Sequence, residues 1–225
     1  MLTEAQPSVP HAAGDDYWAL FMSLRARLND IFAYRKSLGE NCNKLQFEAF
    51  AFKFRMFIEE FSMLLRAALV ERGQLSKKLF NSYGPKSILS NDKQIIAKLR
   101  FISPQKFSEK NYPNGEIEIQ FEYEGFHSFS VDELEELYGQ LGNYAHPTLK
   151  VDQESEAIKL MENCFTFYKK NQAIFRRHAL ESCVQNVALA PTDLNDFLFV
   201  VGTMDDGQNL MWRCEKGRWN RRLPN

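Results

Sequence analysis

The chain of 225 residues is 44% hydrophobic and 13% aromatic, and its formal net charge is −1. A chain of this length can bury a substantial core without disulfides or metals, and it suits one domain or one domain with a small appendage. The balanced charge by itself favours no class of partner. The cysteines lie far apart in the sequence, which argues against zinc ribbons, thioredoxin motifs and disulfide frameworks: Cys42, Cys164, Cys183 and Cys214.

The N-terminal residues 1–14 are rich in Pro, Ala and Gly and are expected to be flexible. No apolar run approaches the roughly 18 residues of a membrane span, and no basic segment precedes an apolar stretch at the N-terminus. These features predict a cytoplasmic protein with no membrane partner. Changes in pattern along the chain predict a helical domain over residues 15–190 and a β-hairpin appendage with a basic tail over residues 191–225.

Helical spacing of apolar residues predicts a first helix over residues 15–37 and a second over residues 44–71. The core face of the second helix repeats at steps of three and four and is mostly phenylalanine: Phe47, Phe50, Phe54, Phe57, Phe61, Leu64 and Ala68. A polar stripe runs beside it at the same spacing: Glu48, Arg55, Glu59, Ser62 and Arg66. This stripe is expected to line a groove between helices or to lie on the solvated back of the helix.

The middle of the chain mixes helix and strand signals. A third helix is predicted over residues 92–101, and apolar residues alternate with glutamates over residues 116–124, which is typical of a half-exposed strand. Ser130 and Glu133 form a capping box that predicts a short helix, which ends before His146 and Pro147.

A long last helix is predicted over residues 152–187, and it contains Cys164 and Cys183 as expected buried thiols. Its core face is predicted from helical spacing: Ile158, Met161, Phe165, Tyr168 and Phe175. Lys169, Lys170, Arg176, Arg177 and His178 predict a basic strip on the same helix, which is more typical of a solvated face than of a binding site.

The C-terminal segment has strand patterns over residues 197–202 and 210–214 that flank an Asp-Gly turn, and these predict a β-hairpin with a third strand through Trp219. Aromatic and basic residues alternate there, as single-stranded nucleic acid requires for stacking and phosphate contact. The candidates are Trp212, Arg213, Arg218, Trp219, Arg221 and Arg222. Packing of a small hairpin on the helical domain explains the same residues, and both interpretations stay open.

The segment of residues 135–147 carries the clearest candidate for chemistry. Gly139 and Gly142 each cost about 1 kcal/mol in a helix relative to Ala, so a neighbouring helix or a ligand is expected to approach them. His146 lies at the helix C-terminus, where the macrodipole favours its protonated form. It can act as a general acid or base near neutral pH, or it can cap the helix.

Three segments together resemble HEPN-like bacterial proteins, named for the higher eukaryotes and prokaryotes nucleotide-binding domain. They are residues 54–59 of the second helix, the Pro-bounded connector 102–104, and the pattern Leu137-Tyr138-x-x-x-Gly142-x-x-x-His146-Pro147. The resemblance implies a mainly α fold, a bundle of long antiparallel helices, to which the C-terminal hairpin is a small appendage. It also implies a homodimer, and many family members are metal-independent ribonucleases of toxin–antitoxin and phage-defence systems.

Active members of that family carry an arginine four to six residues before the histidine. His146 matches the histidine, whereas the positions expected for the arginine hold Gly139, Gln140 and Leu141. Arg55 or Arg66 on the second helix is therefore expected to supply the positive charge that stabilises a phosphorane-like transition state, and Arg55 is the candidate that we choose. Asn143 is a candidate polar contact.

The resemblance implies an RNA-binding or RNA-cleaving effector of a bacterial defence or toxin–antitoxin type system, without a cofactor or a metal. Its expected partners are RNA and a cognate antitoxin or other partner protein. The alternative is a non-catalytic protein–protein interaction module in such a system. The sequence leaves both hypotheses open.

Overall fold

The computed structural model describes residues 13–38, 43–71, 93–96, 99, 101–102, 106–122, 126–127, 130–144, 154–181, 197–203, 209–215 and 218–222. This part of the chain is mostly helical, and its strands form antiparallel pairs. The helices are α1 (Ala13–Ser37), α2 (Lys44–Glu71), α3 (Lys93–Ile96), α4 (Val131–Tyr144) and α5 (Glu154–Arg176). The strands are β1 (Phe101–Ile102), β2 (Lys106–Asn111), β3 (Ile117–Glu122), β4 (Phe126–His127), β5 (Arg177–Glu181), β6 (Phe197–Thr203), β7 (Asn209–Glu215) and β8 (Arg218–Arg222).

α1 and α2 lie at the positions predicted from the sequence. A reciprocal pair of hydrogen bonds caps the start of α2. The backbone N–H of Gln46 donates to Oδ1 of Asn43 at 3.0 Å, and the backbone N–H of Asn43 donates to Oε1 of Gln46 at 2.9 Å. Cross-helix ion pairs of Lys53 with Asp30 and of Arg27 with Glu60 show that α1 and α2 run antiparallel. Of the predicted flexible segment 1–14, residues 1–12 lie outside the described residues.

The aromatic face of α2 forms the centre of the core, as predicted. All seven of its apolar positions are at most 4% exposed. The rings of Phe57 and Phe61 meet Phe175 of α5 edge-on, with centroids 5.3 and 5.1 Å apart. Edge-to-face contacts between aromatic rings add to the stabilisation that burial of their apolar area provides.

Helix α4 begins at the predicted capping box, where the backbone N–H of Glu133 donates to Oγ of Ser130 at 3.2 Å. The predicted end of the last helix at residue 187 is wrong, because α5 ends at Arg176 and β5 begins at the next residue. The predicted core face was also partly wrong, since Ile158 is 39% exposed. Met161 and Phe175 are buried as predicted, and Phe165 and Tyr168 are partly buried. The buried face of α5 also contains Ala157, Leu160, Cys164, Phe167 and Ile174.

The C-terminal hairpin of β6 and β7 and the third strand β8 are confirmed. They are not an appendage, however, because the sheet has eight strands in the order β2-β3-β8-β7-β6-β5-β1-β4. Strand β5 pairs with β6, and β3 meets β8 at Ile117 and Trp219. Strands from both sides of residue 190 therefore belong to one sheet.

The predicted strand over residues 116–124 is present as β3, which pairs with the preceding strand β2. The turn that joins the two strands contains Gly115, whose φ is +81°. Such a positive φ favours glycine, since a side chain would be strained there. The predicted third helix is shorter than expected, because its described helical part is α3 and Phe101 already belongs to β1.

Candidate functional site

The polar stripe of α2 meets α4 at a three-residue cluster of Arg55, Glu59 and Tyr138. Nη2 of Arg55 donates a hydrogen bond to the Tyr138 hydroxyl at 2.9 Å, and that hydroxyl donates to Oε1 of Glu59 at 2.9 Å. Nε of Arg55 lies 3.5 Å from the same carboxylate oxygen. The stripe therefore lines the α2–α4 contact here, which favours the predicted groove over the solvated back.

The guanidinium of Arg55 also lies over the ring of Tyr138, with its Cζ 4.6 Å from the ring centroid. This cation–π contact and the hydrogen bond together restrain the orientation of the guanidinium. The Arg55 side chain is 26% exposed, so one side of the group still reaches solvent. An arginine held in this way is preorganised for a contact with an anion.

Burial raises the pKa of Tyr138, while the hydrogen bond from Arg55 lowers it and the carboxylate of Glu59 raises it. The phenol therefore stays protonated at neutral pH and serves as the donor to Glu59. In this state Tyr138 links the cation and the anion of α2 to the middle of α4.

One of the two helix glycines is approached as predicted. A Cβ added to Gly142 would lie 3.4 Å from Nη1 of Arg55, so the guanidinium reaches the last turn of α4. A Cβ added to Gly139 would meet no atom within 4 Å, so the predicted neighbouring helix does not approach that glycine, and the predicted ligand stays a prediction. Arg55 thus lies against the helix end that leads, two residues after Tyr144, to His146.

The other predicted catalytic residues are less well placed by the structure. Asn143 is exposed on the last turn of α4. His146 falls in residues 145–150, which lie outside the described residues. Arg55 is therefore the predicted catalytic residue for which the structure gives side-chain contacts.

The predicted nucleic-acid-binding residues lie on two adjacent strands. Trp212 and Arg213 are in β7, and their Cα partners in β8 are Arg221 and Asn220. Trp219 is opposite Cys214, and the remaining candidates Arg218 and Arg222 are at the two ends of β8. The backbone register thus brings together the six predicted residues in one two-stranded segment.

A buried histidine that the sequence analysis placed on a surface strip is a core residue. His178 is fully buried at the start of β5, its Nδ1 lies 2.6 Å from the carbonyl of Ile174, and its Nε2 lies 2.6 Å from the hydroxyl of Tyr17. A carbonyl only accepts, so Nδ1 carries the proton and Nε2 accepts from Tyr17. Burial lowers the pKa of His178 to about 4, so the ring is neutral near pH 7.

Two residues of these clusters, Tyr138 and Tyr17, received no role from the sequence. Tyr138 shares the buried side of α4 with Leu134, Leu137 and Leu141, which made a core tyrosine the natural interpretation. The polar stripe of α2 was the available signal, since a partly buried arginine and glutamate favour a polar partner on the facing helix.

No group of three or more His, Cys, Asp or Glu side chains is arranged to hold a metal ion within the part of the chain that the structure describes. Among the helices described, none combines the length and the apolar character that a membrane crossing requires. Comparisons with protein-family models, curated proteins and solved structures find no match to this chain.

Proposed function

We propose that this protein is a HEPN-like RNA-binding or RNA-cleaving effector of a bacterial defence or toxin–antitoxin type system. The observation that supports the proposal is the position of Arg55, whose guanidinium reaches the last turn of α4 beside Gly142. The chain continues from that turn to His146. Arg55 lies beside the end of this helix, and His146 follows the helix in the sequence. A histidine and an arginine together can supply the acid–base and charge-stabilising groups for metal-independent phosphodiester cleavage.

In this mechanism His146 accepts the proton of the ribose 2′-hydroxyl, whose oxygen attacks the adjacent phosphorus to form a 2′,3′-cyclic phosphate. The bond between phosphorus and the 5′-oxygen breaks in the same step, and that oxygen leaves with a proton from solvent water. The negative charge that develops on the phosphoryl oxygens is stabilised by the Arg55 guanidinium, which can donate two hydrogen bonds from its fork. Tyr138 and Glu59 hold that fork in place, because they bind Nη2 and Nε and leave Nη1 directed to the last turn of α4.

The mainly helical structure supports the same proposal at the level of the fold. α1 and α2 are long and antiparallel, and α5 packs against both through aromatic contacts. We extend this to a HEPN-like bundle of long antiparallel helices that assembles as a homodimer. Light scattering on the purified protein tests the dimer, since a monomer at micromolar concentration contradicts it.

The decisive experiment measures cleavage of single-stranded RNA in the presence of a metal chelator. His146→Ala and Arg55→Ala should each lower the rate by about 100-fold or more, since general acid–base catalysis and stabilisation of the transition-state charge each contribute that much. Lys110→Ala is the control, because it removes an exposed positive charge from β2, which lies at the edge of the sheet. If the wild-type protein does not cleave RNA, or if both variants cleave as well as the control, the catalytic proposal is wrong.

One observation favours the alternative of a non-catalytic interaction module. Leu45 and Phe52 lie two turns apart on α2 and are 75% and 58% exposed, which is unusual for such large apolar side chains. Under this alternative, Leu45→Ser with Phe52→Ser abolishes the biological effect in a growth assay, while His146→Ala and Arg55→Ala preserve it. The catalytic proposal predicts the opposite pattern for the two pairs of variants.

A further inference from the structure

The sheet has two edges, and they differ in length. At one edge lies β4, which has two residues, and at the other lies β2, which has six. Within the part of the chain that the structure describes, β2 pairs with β3 alone. The backbone groups on the outer side of an edge strand can pair with another chain, for which a strand of two residues is too short. β2 is therefore the edge at which an added strand can bind.

The turn that closes the β2–β3 hairpin shows which backbone groups point outward. The backbone N–H of Tyr112 donates to the carbonyl of Glu116 at 2.9 Å, so these two residues form a hydrogen-bonded pair. Hydrogen-bonded pairs alternate with non-hydrogen-bonded pairs along an antiparallel ladder. In the observed register the residues of β2 that bond to β3 are Lys106, Ser108 and Lys110. The residues whose N–H and C=O groups point away from β3 are Phe107, Glu109 and Asn111.

This outer row of backbone groups is continuous along β2. The register with β3 runs from Lys106 to Asn111 without a shift, so the strand has no bulge. Proline lacks the N–H that an added strand needs, and the nearest prolines in the sequence, Pro104 and Pro113, lie outside β2. Bulges and prolines are common means of preventing pairing at an edge. β2 thus keeps the backbone groups that an incoming strand binds.

Lys110 gives this edge a positive charge on one face. Its side chain is exposed, and its ammonium lies 4.7 Å from the centroid of the Tyr112 ring, whose hydroxyl donates to Glu118 of β3. Because the backbone of Lys110 bonds to β3, an added antiparallel strand meets this residue in a non-hydrogen-bonded pair. Side chains are closest in such pairs, and opposite charges there are stabilising. An acidic side chain is therefore favoured opposite Lys110.

A second copy of this chain fits the same edge poorly. Two copies that pair antiparallel about a twofold axis match outward residues with outward residues, which leaves two registers in which more than half of β2 is paired. In one register Lys106 lies opposite Lys110 of the second copy, and in the other Glu109 lies opposite Glu109 of the second copy. Like charges directly opposite each other are destabilising. The charge pattern therefore favours a different chain as the partner.

We propose that the outer edge of β2 binds an extended segment of another protein that carries an acidic side chain opposite Lys110. The segment pairs antiparallel, as the described strands do, and its main chain bonds to the outward groups of Phe107, Glu109 and Asn111. The main-chain bonds provide the affinity, and the charge pair selects the segment. This surface is separate from the Arg55 cluster, so the inference does not rest on the proposed function.

The probes for the test are two capped heptapeptides of alternating threonine and valine, with either glutamate or lysine at the central position. Amide hydrogen exchange of the full chain, followed by NMR, measures their binding. The glutamate peptide should slow exchange at Phe107, Glu109 and Asn111 by about 10-fold or more, because these amides become hydrogen-bonded. The amides of Ser108 and Lys110 should change little, since they already bond to β3. The lysine peptide should bind roughly 2- to 5-fold more weakly.

Two substitutions at Asn111 separate the backbone from the side chain. Asn111→Pro removes an outward N–H and keeps the bonds to β3, so it should weaken the glutamate peptide by up to about 10-fold, which corresponds to one hydrogen bond. Asn111→Ala is the matched control, because it removes the same side chain but keeps the N–H, and it should bind like the wild type. Lys110→Ala is a second variant for the case that proline impairs folding. It should abolish the preference for the glutamate peptide over the lysine peptide.

Three results overturn the proposal. The first is that neither peptide slows exchange at the outward amides, or that Asn111→Pro and Asn111→Ala bind the glutamate peptide equally well. The second is that the outward amides of the protein alone exchange as slowly as those of Ser108 and Lys110, since the edge is then already bonded within the chain. The third is a concentration-dependent dimer that protects the same amides, which identifies a second copy as the occupant.

Discussion

The hydroxyl of Tyr17 donates to Nε2 of His178 at 2.6 Å, across 161 positions of sequence. This bond joins α1 to the point where α5 changes into β5. The rings of Phe21 and Phe101 also meet the imidazole edge-on, so His178 is enclosed by aromatic groups from α1 and β1. A neutral, buried histidine at this position connects the helices to the sheet.

The free energy of unfolding is predicted to decrease as the pH is lowered, because His178 is buried in its neutral form. Burial lowers its folded pKa from 6.5 to about 4, so the unfolded chain binds a proton first as the pH falls. The contribution is fully present above pH 6.5 and is lost progressively toward pH 4, by about 3 kcal/mol in total. Urea denaturation between pH 7 and about 5 measures this loss.

The control is His178→Gln, which removes the titrating group and leaves the surface carboxylates in place. Its free energy of unfolding should depend less on pH than that of the wild type between pH 6.5 and about 5, whatever its absolute stability. Equal slopes for the two proteins would mean that His178 does not titrate as its burial indicates.

Replacement of buried and of exposed phenylalanines on α2 is predicted to have very different costs in unfolding free energy. Phe54→Ala and Phe57→Ala should each cost about 3–5 kcal/mol of unfolding free energy, because each leaves a cavity at a side chain that is at most 1% exposed. Phe52→Ala is the matched control, since that side chain is 58% exposed and should cost less than about 1 kcal/mol. Similar melting temperatures for all three variants would contradict the burial of this face.

Elements that depend on interactions within a few residues were predicted from the sequence, whereas elements that depend on contacts between distant residues were not. α1 and α2 followed from periodicity and local caps, which the chain carries within a few residues. The end of α5 could not be predicted in this way, because residues 177–187 contain no helix breaker. Strand β5 forms there because it pairs with β6, which lies some 20 residues away in the sequence. Strand pairing of this kind leaves little trace in a single sequence.

The same distinction applies to the candidate site. The sequence named Arg55 from the polar stripe, because the stripe repeats along one helix. It did not name Tyr138 as the partner, since a tyrosine on an apolar helix face fits a core role equally well. His178 was assigned to a basic strip on the evidence of its neighbours, whereas the change from helix to strand at residue 177 turns its side chain inward.

The same substitution is predicted to have opposite effects at two glycines. Gly139→Ala should raise the unfolding free energy by about 1 kcal/mol, because the helix gains propensity and the new Cβ meets open space. Gly202→Ala should lower it by about 1–3 kcal/mol, because the new Cβ would lie 2.5 Å from Cγ and 3.0 Å from Cα of Arg177. Chemical denaturation of both variants tests this, and equal signs would contradict the packing of Arg177 over β6.

Tyr138→Phe is predicted to separate the hydrogen bonds of the Arg55 cluster from its aromatic contact. The variant keeps the ring under the guanidinium but removes the hydroxyl that joins Arg55 to Glu59, at a cost of about 1–2 kcal/mol. Tyr34→Phe is the control, since it removes a single hydroxyl bond to the Gln46 carbonyl and should cost less than about 1 kcal/mol. Equal losses would mean that the hydroxyl of Tyr138 has no special role in the cluster.

The basic tail is predicted to contribute to binding of nucleic acid through the arginines of β8. If RNA binds along β7 and β8, neutralising Arg218, Arg221 and Arg222 weakens binding for all sequences alike and reduces the salt slope by about 2, or 0.7 for each phosphate on a single strand. An unchanged affinity and slope in the tail variant would exclude β8 from the binding surface.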